Sequence, residues 1–114
     1  MADCLFCRIV AGEIPSSEVL RTETTYAFRD INPAAPVHVL VVPLEHITNA
    51  AEITSDHGPV LADMVVAAQR VAAQEGTAES GYRLVFNVGE DALNDVPHLH
   101  LHVLGGRRFG WPPG

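Results

Sequence analysis

The apolar and polar positions in the first half of the chain predict one helix and three strands. A short helix over residues 3 to 11, with Asp3 as its N-cap, comes first. Two strands follow, Glu18 to Thr22 and Thr25 to Asp30, joined by a tight turn. Residues 37 to 42 form an apolar run broken only by His38, which is typical of a central strand. His38 is either a hydrogen-bonded core residue or part of a site.

The second half of the chain predicts one long helix and two further strands. The helix begins at Ser55 or Asp56 and ends at Gly76. The next strand spans Tyr82 to Val88, and a polar loop over residues 89 to 97 follows it. This order of elements predicts an α+β domain with an antiparallel sheet. The residues expected to form the buried stripe of the long helix are Val60, Leu61, Met64, Val65, Ala68, Val71 and Ala72.

Residues 96 to 104 read Val-Pro-His-Leu-His-Leu-His-Val-Leu, so three histidines alternate with apolar residues. In a strand, His98, His100 and His102 would share one face while the apolar residues enter the core. Neighbouring histidines would lie about 6.5 Å apart and the outer pair about 13 Å apart, so one metal ion cannot bind all three. We therefore expect the middle imidazole to face a substrate. A plain polar strand face is the alternative, whereas a cloning tag would be contiguous and terminal.

Composition limits the chain to one domain and narrows its partners. The chain has 114 residues, of which 47% are hydrophobic, and its formal net charge is -7. All seven basic residues are arginine. This charge disfavours nucleic acid and anionic membranes as partners, so a phosphate ligand would need local donors. The chain shows neither an apolar run of membrane-spanning length nor a signal peptide pattern, so we expect a cytoplasmic protein.

Cys4 and Cys7 have the spacing of half a zinc site. They could also be two buried core thiols, or a redox pair, although the strand context of redox C-x-x-C motifs is missing here. His46 and His98 are the candidates to complete a tetrahedral Cys₂His₂ site.

Taken in order, these motifs resemble the histidine triad superfamily, and in particular its nucleotide-binding branch. The resemblance implies that residues 1–114 form a single domain with a five-stranded antiparallel sheet and two helices, and that residues 105–114 form an extended tail. It also implies a homodimer that joins two sheets into one. The segments that carry it are Phe6 to Pro15, Ala27 to Pro33, Ala35 to His38, His98 to Leu104 and the ending from Gly105 to Gly114.

The activity that this resemblance implies is hydrolysis of purine nucleoside 5′-phosphoramidates or related nucleotidyl adducts to a nucleoside monophosphate. His100 would attack the α-phosphorus and form a nucleotidyl-histidine that water then cleaves. His102 and nearby backbone N–H groups would stabilise the charge on the phosphate oxygens. His38 would support the histidine row, and Asn87 would contact the phosphate or the leaving group. No catalytic metal would be required.

The resemblance also implies a nucleotide pocket and a structural zinc site. Asp30 would accept hydrogen bonds from the ribose, although it could equally be a turn residue, and the apolar pocket residues could equally be core. The residues that would bind nucleotide are Phe6, Ile9, Phe28, Asp30, Ile31, Asn87, Asn94, Val96, His100 and His102. Zinc would be held by Cys4, Cys7, His46 and His98.

The loop before the histidine row departs from the family pattern. Relatives usually carry Gly-Gln-Ser-Val there, whereas this chain has Leu93-Asn94-Asp95-Val96. An ionised Asp95 about 4 Å from a phosphate oxygen would be repelled by up to a few kcal/mol. A protonated Asp95 could instead act as the acid for the leaving group, or the side chain could turn away, and Leu93 could narrow the entrance.

Three other functions stay open at this point. The chain could be a catalytically weak nucleotide-binding regulatory protein, a hydrolase of dinucleoside polyphosphates, or a metal-dependent hydrolase in which two row histidines hold a catalytic ion.

Overall fold

A sheet whose central strands are buried on both faces lies between two helices. The computed structural model describes residues 4–114. Their elements are α1 (Leu5–Val10), β1 (Glu18–Arg21), β2 (Thr25–Arg29), β3 (Val37–Pro43), α2 (Gly58–Gln74), β4 (Tyr82–Val85) and β5 (Leu101–Gly105). Neighbouring strands are antiparallel and lie in the order β1-β2-β3-β5-β4. The predicted α+β class and five-stranded antiparallel sheet are confirmed.

The two faces of the sheet carry two separate apolar clusters. Because side chains alternate along a strand, Val39 and Val41 of β3 pack under α2, while Leu40 and Val42 face the opposite side. Helix α1 covers this opposite side, which we call the α1 face. β3 and β5 are adjacent at the centre of the sheet, so the histidines of both strands lie close together.

Several predicted boundaries were wrong by a few residues. Helix α2 begins at Gly58, because residues 55–57 form a separate 3-10 turn. Val65, expected in the buried stripe, is 39% exposed. Strand β4 ends at Val85, three residues before the predicted end. Asp3 lies outside the described residues, and Cys4 is the N-cap of α1: its Sγ accepts a hydrogen bond from the backbone N–H of Cys7 at 3.3 Å.

The histidine strand is shorter than the nine-residue pattern predicts. β5 begins only at Leu101, because the backbone before it makes other hydrogen bonds. The N–H of Leu99 donates to the carbonyl of Ile47 at 2.6 Å, and the N–H of His98 donates to the carbonyl of Val96 at 2.9 Å. Gly105, the first residue of the predicted tail, closes β5, and residues 106–114 continue without a helix or strand. Within residues 4–114, no helix has the length and hydropathy needed to cross a membrane.

Candidate active site

Strand pairing brings two histidines from β3 and β5 into contact. His38 lies opposite Leu104 and His102 lies opposite Leu40, so the two histidines are diagonal neighbours on the α1 face. His38 Nε2 is 2.9 Å from His102 Nδ1. The ring of His100 lies 5.0 Å from that of His102, centroid to centroid. The cluster therefore holds three imidazoles in a continuous row.

Hydrogen bonds to the backbone determine where the protons of this row lie. The N–H of Ala34 donates to His38 Nδ1 at 2.9 Å, so this nitrogen must carry a lone pair. In neutral His38 the proton is therefore on Nε2, which donates it to His102 Nδ1. His102 in turn carries its own proton on Nε2. We call this sequence of hydrogen bonds the histidine relay.

His100 has the opposite arrangement of proton and lone pair. Its Nδ1 lies 2.7 Å from the carbonyl oxygen of His98. Because a carbonyl oxygen only accepts, Nδ1 carries the proton and Nε2 carries the lone pair. His100 Nε2 is thus a nucleophilic nitrogen beside the N–H of His102.

Burial keeps the relay neutral near pH 7. The pKa of His102 is lowered to about 4, chiefly by desolvation and also by the neighbouring His100 and His38, while Asp30 and Asp95 act in the opposite direction. Desolvation also lowers the pKa of His38, partly offset by Asp30. The proton positions described above for His38 and His102 require both imidazoles to be neutral.

A cavity of about 250 Å³ opens onto the histidines from the α1 face. Helix α1 supplies one apolar wall, and the strands supply the other. Among the predicted nucleotide-binding residues, Asn87 and Asn94 are not part of the lining. The sequence interpretation missed Leu5 and Leu40, although alternation from His38 and helical spacing from Ile9 point to both. The lining comprises Leu5, Phe6, Ile9, Phe28, Asp30, Ile31, Leu40, Asp95, Val96, His100 and His102.

Asp30 makes the predicted turn interaction and also lines the cavity. Its Oδ1 accepts a hydrogen bond from the N–H of Asn32 at 2.8 Å, which is a turn interaction. Its Oδ2 lies 3.4 Å from His38 Nε2, and the residue also lines the cavity. The carboxylate is therefore held in a fixed position at the cavity wall.

The loop after β4 places its polar side chains at different depths. The Asn87 amide nitrogen is 3.4 Å from His102 Nε2, and a half-turn of the amide presents its oxygen to that N–H. Asp95 is exposed at the cavity wall. Asn94 lies beside the cavity, with a buried Oδ1 that has no hydrogen-bond partner among residues 4–114. Leu93 is 83% exposed and lies outside the lining, in a left-handed conformation with φ 62°.

Cys4, Cys7, His46 and His98 converge beneath the cavity. Their ligand atoms all lie within 4.8 Å of one another. His98 Nδ1 is 3.3 Å from Cys4 Sγ, 3.4 Å from Cys7 Sγ and 3.2 Å from His46 Nδ1. Tetrahedral zinc at normal bond lengths separates S from N by about 3.6 Å and two nitrogens by about 3.3 Å. The four residues therefore fit a zinc ion.

A further contact of His98 leaves its Nδ1 lone pair free to bind a metal ion. His98 Nε2 donates to the carbonyl of Pro43 at 3.0 Å, which leaves the lone pair on Nδ1. Asp30, His38 and His102 also form a cluster of potential ligand atoms. His38 Nε2 carries a proton there, however, so metal binding by this cluster would require breaking the Ala34 hydrogen bond.

Comparisons with known proteins agree with this arrangement. A family model described as "HIT domain" matches residues 11–109. A crystal structure of a HIT family hydrolase from Legionella pneumophila superposes with a TM-score of 0.96 at 46% identity, covering 98% of this chain and 100% of that one. The chain is 40% identical to a purine nucleoside phosphoramidase of Escherichia coli, over 95% of this chain and 91% of that protein. It is 44% identical to a 14 kDa zinc-binding protein of Zea mays, over 96% and 87% of the two chains.

Proposed function

This chain belongs to the HIT domain family, and we propose that it hydrolyses purine nucleoside 5′-phosphoramidates or related nucleotidyl adducts to a nucleoside monophosphate. The observation that carries the proposal is the placement of the ring proton of His100. Its Nδ1 proton is held by the His98 carbonyl, which leaves a lone pair on Nε2 at the wall of an apolar cavity. The relatives named hydrolase and purine nucleoside phosphoramidase support this choice of reaction.

In the first step, His100 Nε2 attacks the α-phosphorus and the phosphorus–nitrogen bond of the substrate breaks. The product is a nucleotidyl-histidine, and the amine leaves with a proton. In the second step, water attacks the same phosphorus, the bond to Nε2 breaks, and the nucleoside monophosphate and free imidazole are released. Each step replaces one bond to phosphorus by another, and no metal takes part.

His102 stabilises the charge that develops on the phosphate oxygens in both steps. Because His38 donates to its Nδ1, His102 carries its own proton on Nε2. A positioned donor of this kind typically contributes about 10²- to 10³-fold in rate. Because its pKa is lowered to about 4, His102 is neutral near pH 7 and acts as a neutral hydrogen-bond donor.

Asp30 and the apolar walls bind the nucleoside. The base packs between the α1 side chains Phe6 and Ile9 and the strand residue Phe28, all of which line the cavity. The carboxylate of Asp30 accepts hydrogen bonds from the ribose hydroxyls. Ile31, 92% exposed, covers the base at the mouth of the cavity.

Asp95 gives a specific role to the loop before the histidine row, which departs from the family pattern. It lines the cavity and acts electrostatically on His102, so it lies close to the reacting phosphate. In its protonated form it supplies the proton that the leaving amine needs. If it stays ionised against the phosphate, the chain is instead a catalytically weak nucleotide-binding protein, which is the second candidate function.

The Cys₂His₂ cluster holds a structural zinc ion in this proposal. The four donors leave no open coordination position, so the ion serves folding rather than the reaction. Metal analysis of protein purified without chelators should find about one zinc per chain. Protein without zinc under these conditions would contradict the site.

The exposed edge of β4 is the proposed dimer interface. β4 is the last strand of the sheet, and Leu84, Phe86 and Val88 near it expose apolar surface. Pairing with a second copy would extend the sheet and cover these side chains. In analytical ultracentrifugation, Phe86→Glu should sediment as a monomer. Ile31→Glu, an equivalent change at the cavity mouth, should leave the dimer intact.

The histidine nucleophile can be tested with one pair of variants. His100→Ala should abolish turnover of an adenosine phosphoramidate, while affinity for adenosine monophosphate (AMP) falls only modestly, because base and ribose contacts come from elsewhere. His57→Ala removes a histidine outside the site and should retain activity. Mass spectrometry of wild-type protein quenched during turnover should detect the nucleotidyl adduct on His100. Full activity in His100→Ala would exclude the mechanism.

A further inference from the structure

His98 belongs to two sites at once. Its side chain faces the cysteine–histidine cluster through Nδ1, which lies within 3.4 Å of ligand atoms of Cys4, Cys7 and His46. Its carbonyl oxygen holds the Nδ1 proton of His100. Any displacement of His98 therefore moves both a metal ligand and the group that orients the nucleophile.

Phe6 makes a second connection between the same two sites. Its ring contacts that of His98 edge-on at 6.0 Å and that of His100 at 5.1 Å, centroid to centroid. Phe6 also packs against Phe28 and lines the nucleotide cavity. It lies between Cys4 and Cys7 in the chain, so the cluster fixes the turn of helix on which Phe6 stands.

Helix α1 is too short to hold its own position. It has six residues, and isolated helices shorter than about 12 residues are marginal in water. What fastens it is the packing of Phe6 and Ile9 into the α1 face, together with the links of Cys4 and Cys7 to His46 and His98. Without a metal ion those links reduce to a few sulfur–nitrogen contacts. The cavity wall built by α1 would then loosen.

We propose that metal binding and nucleotide binding are coupled, with His98 and Phe6 carrying the coupling. The inference rests on the proposed metal and nucleotide sites. A metal ion at the cluster fixes the α1 wall and the His98 carbonyl. The entropy cost of ordering these groups is then already met, so it no longer weakens nucleotide binding. By reciprocity, a bound nucleotide must strengthen metal binding by the same factor, which we expect to be at least about fivefold.

The test measures both affinities on the full chain. Calorimetry first establishes that AMP binds the zinc-loaded protein. Competition with a chromophoric chelator then gives the zinc affinity with and without saturating AMP, and circular dichroism follows the fold of the stripped chain. We expect AMP to tighten zinc binding at least about fivefold, and zinc to tighten AMP binding by an equal factor.

Cobalt(II) provides the readout if the stripped chain unfolds. In the cobalt-loaded, folded protein, AMP should change the visible d–d and thiolate charge-transfer bands. Bound AMP acts on the metal ligand His98, and it also acts through Phe6 on the helical turn between the two cysteines. Phe6→Leu should weaken the coupling. Ile9→Leu, on the same helix and cavity wall, should preserve it.

The outcomes separate the possible failures. No AMP binding to the loaded protein would overturn the proposed function, and no zinc binding would overturn the metal site; either result removes the coupling as well. If both ligands bind but neither affinity responds to the other ligand, and the cobalt spectrum is unchanged by AMP, the coupling itself is wrong. Equal coupling in Phe6→Leu and Ile9→Leu would exclude Phe6 as a carrier.

Discussion

Leu93 adopts a backbone conformation that glycine tolerates far better, so Leu93→Gly should stabilise the protein. Its φ of 62° and ψ of 34° are left-handed. This conformation costs a residue with a Cβ roughly 1–2 kcal/mol. Glycine avoids this cost but loses about 0.5–1 kcal/mol more backbone entropy on folding. Because Leu93 is 83% exposed, removing its side chain costs less than about 0.5 kcal/mol of burial.

The balance favours Leu93→Gly by up to about 1 kcal/mol, or a rise in Tm of up to about 4 °C. Urea unfolding followed by circular dichroism measures it, with zinc and protein concentration held constant because both ligand binding and association shift stability. Leu93→Ala is the matched control: it removes the same side chain but keeps the left-handed strain. A Leu93→Ala variant as stable as Leu93→Gly would refute the argument from backbone conformation.

Three further predictions concern acid–base behaviour and selectivity. Asp95→Ser should raise turnover above neutral pH, whereas Asp95→Asn should not, because an amide cannot transfer a proton; superimposable pH–rate profiles of wild type and Asp95→Ser would contradict this. Because burial lowers the pKa of His102 from 6.5 to about 4, the unfolded chain binds a proton between these values that the folded chain does not. Stability should thus be complete above pH 6.5 and fall toward pH 4 by at most about 3 kcal/mol, a decline that His102→Asn should flatten in urea titrations. Deleting residues 110–114, which include the 84% exposed Trp111, should change selectivity among amine leaving groups, and identical substrate profiles would argue against that role.

Alternation in the sequence was sufficient to predict the central sheet. The apolar residues between the histidines predicted which side chains enter the core, and the period of two predicted that His98, His100 and His102 share one face; the position of His38 beside His102 follows from the strand pairing. The C-x-x-C spacing pointed to the metal cluster, and the resemblance to a known family supported it and added the nucleotide cavity.

The remaining features could not be predicted because local sequence patterns do not determine them. The strand pattern of residues 96–104 could not reveal that the Leu99 N–H bonds to Ile47, far along the chain, and leaves the ladder. Val65 fits the apolar spacing of α2, but it is 39% exposed, and the buried residues of α2 are Met64, Ala67, Ala68, Val71 and Ala72. The left-handed conformation of Leu93 also contradicts its residue type, because local propensity favours glycine there.

The positions of the ring protons are dictated by main-chain groups rather than by variable side chains. The Ala34 N–H and the carbonyls of His98 and Pro43 each assign one imidazole tautomer. A backbone group is retained in almost any substitution that preserves the fold. The tautomers of these imidazoles therefore do not depend on which side chains surround them. Under the proposed mechanism, substitutions in residues 93–96 and 110–114 would therefore change leaving-group preference and proton supply while the tautomer of His100 stays the same.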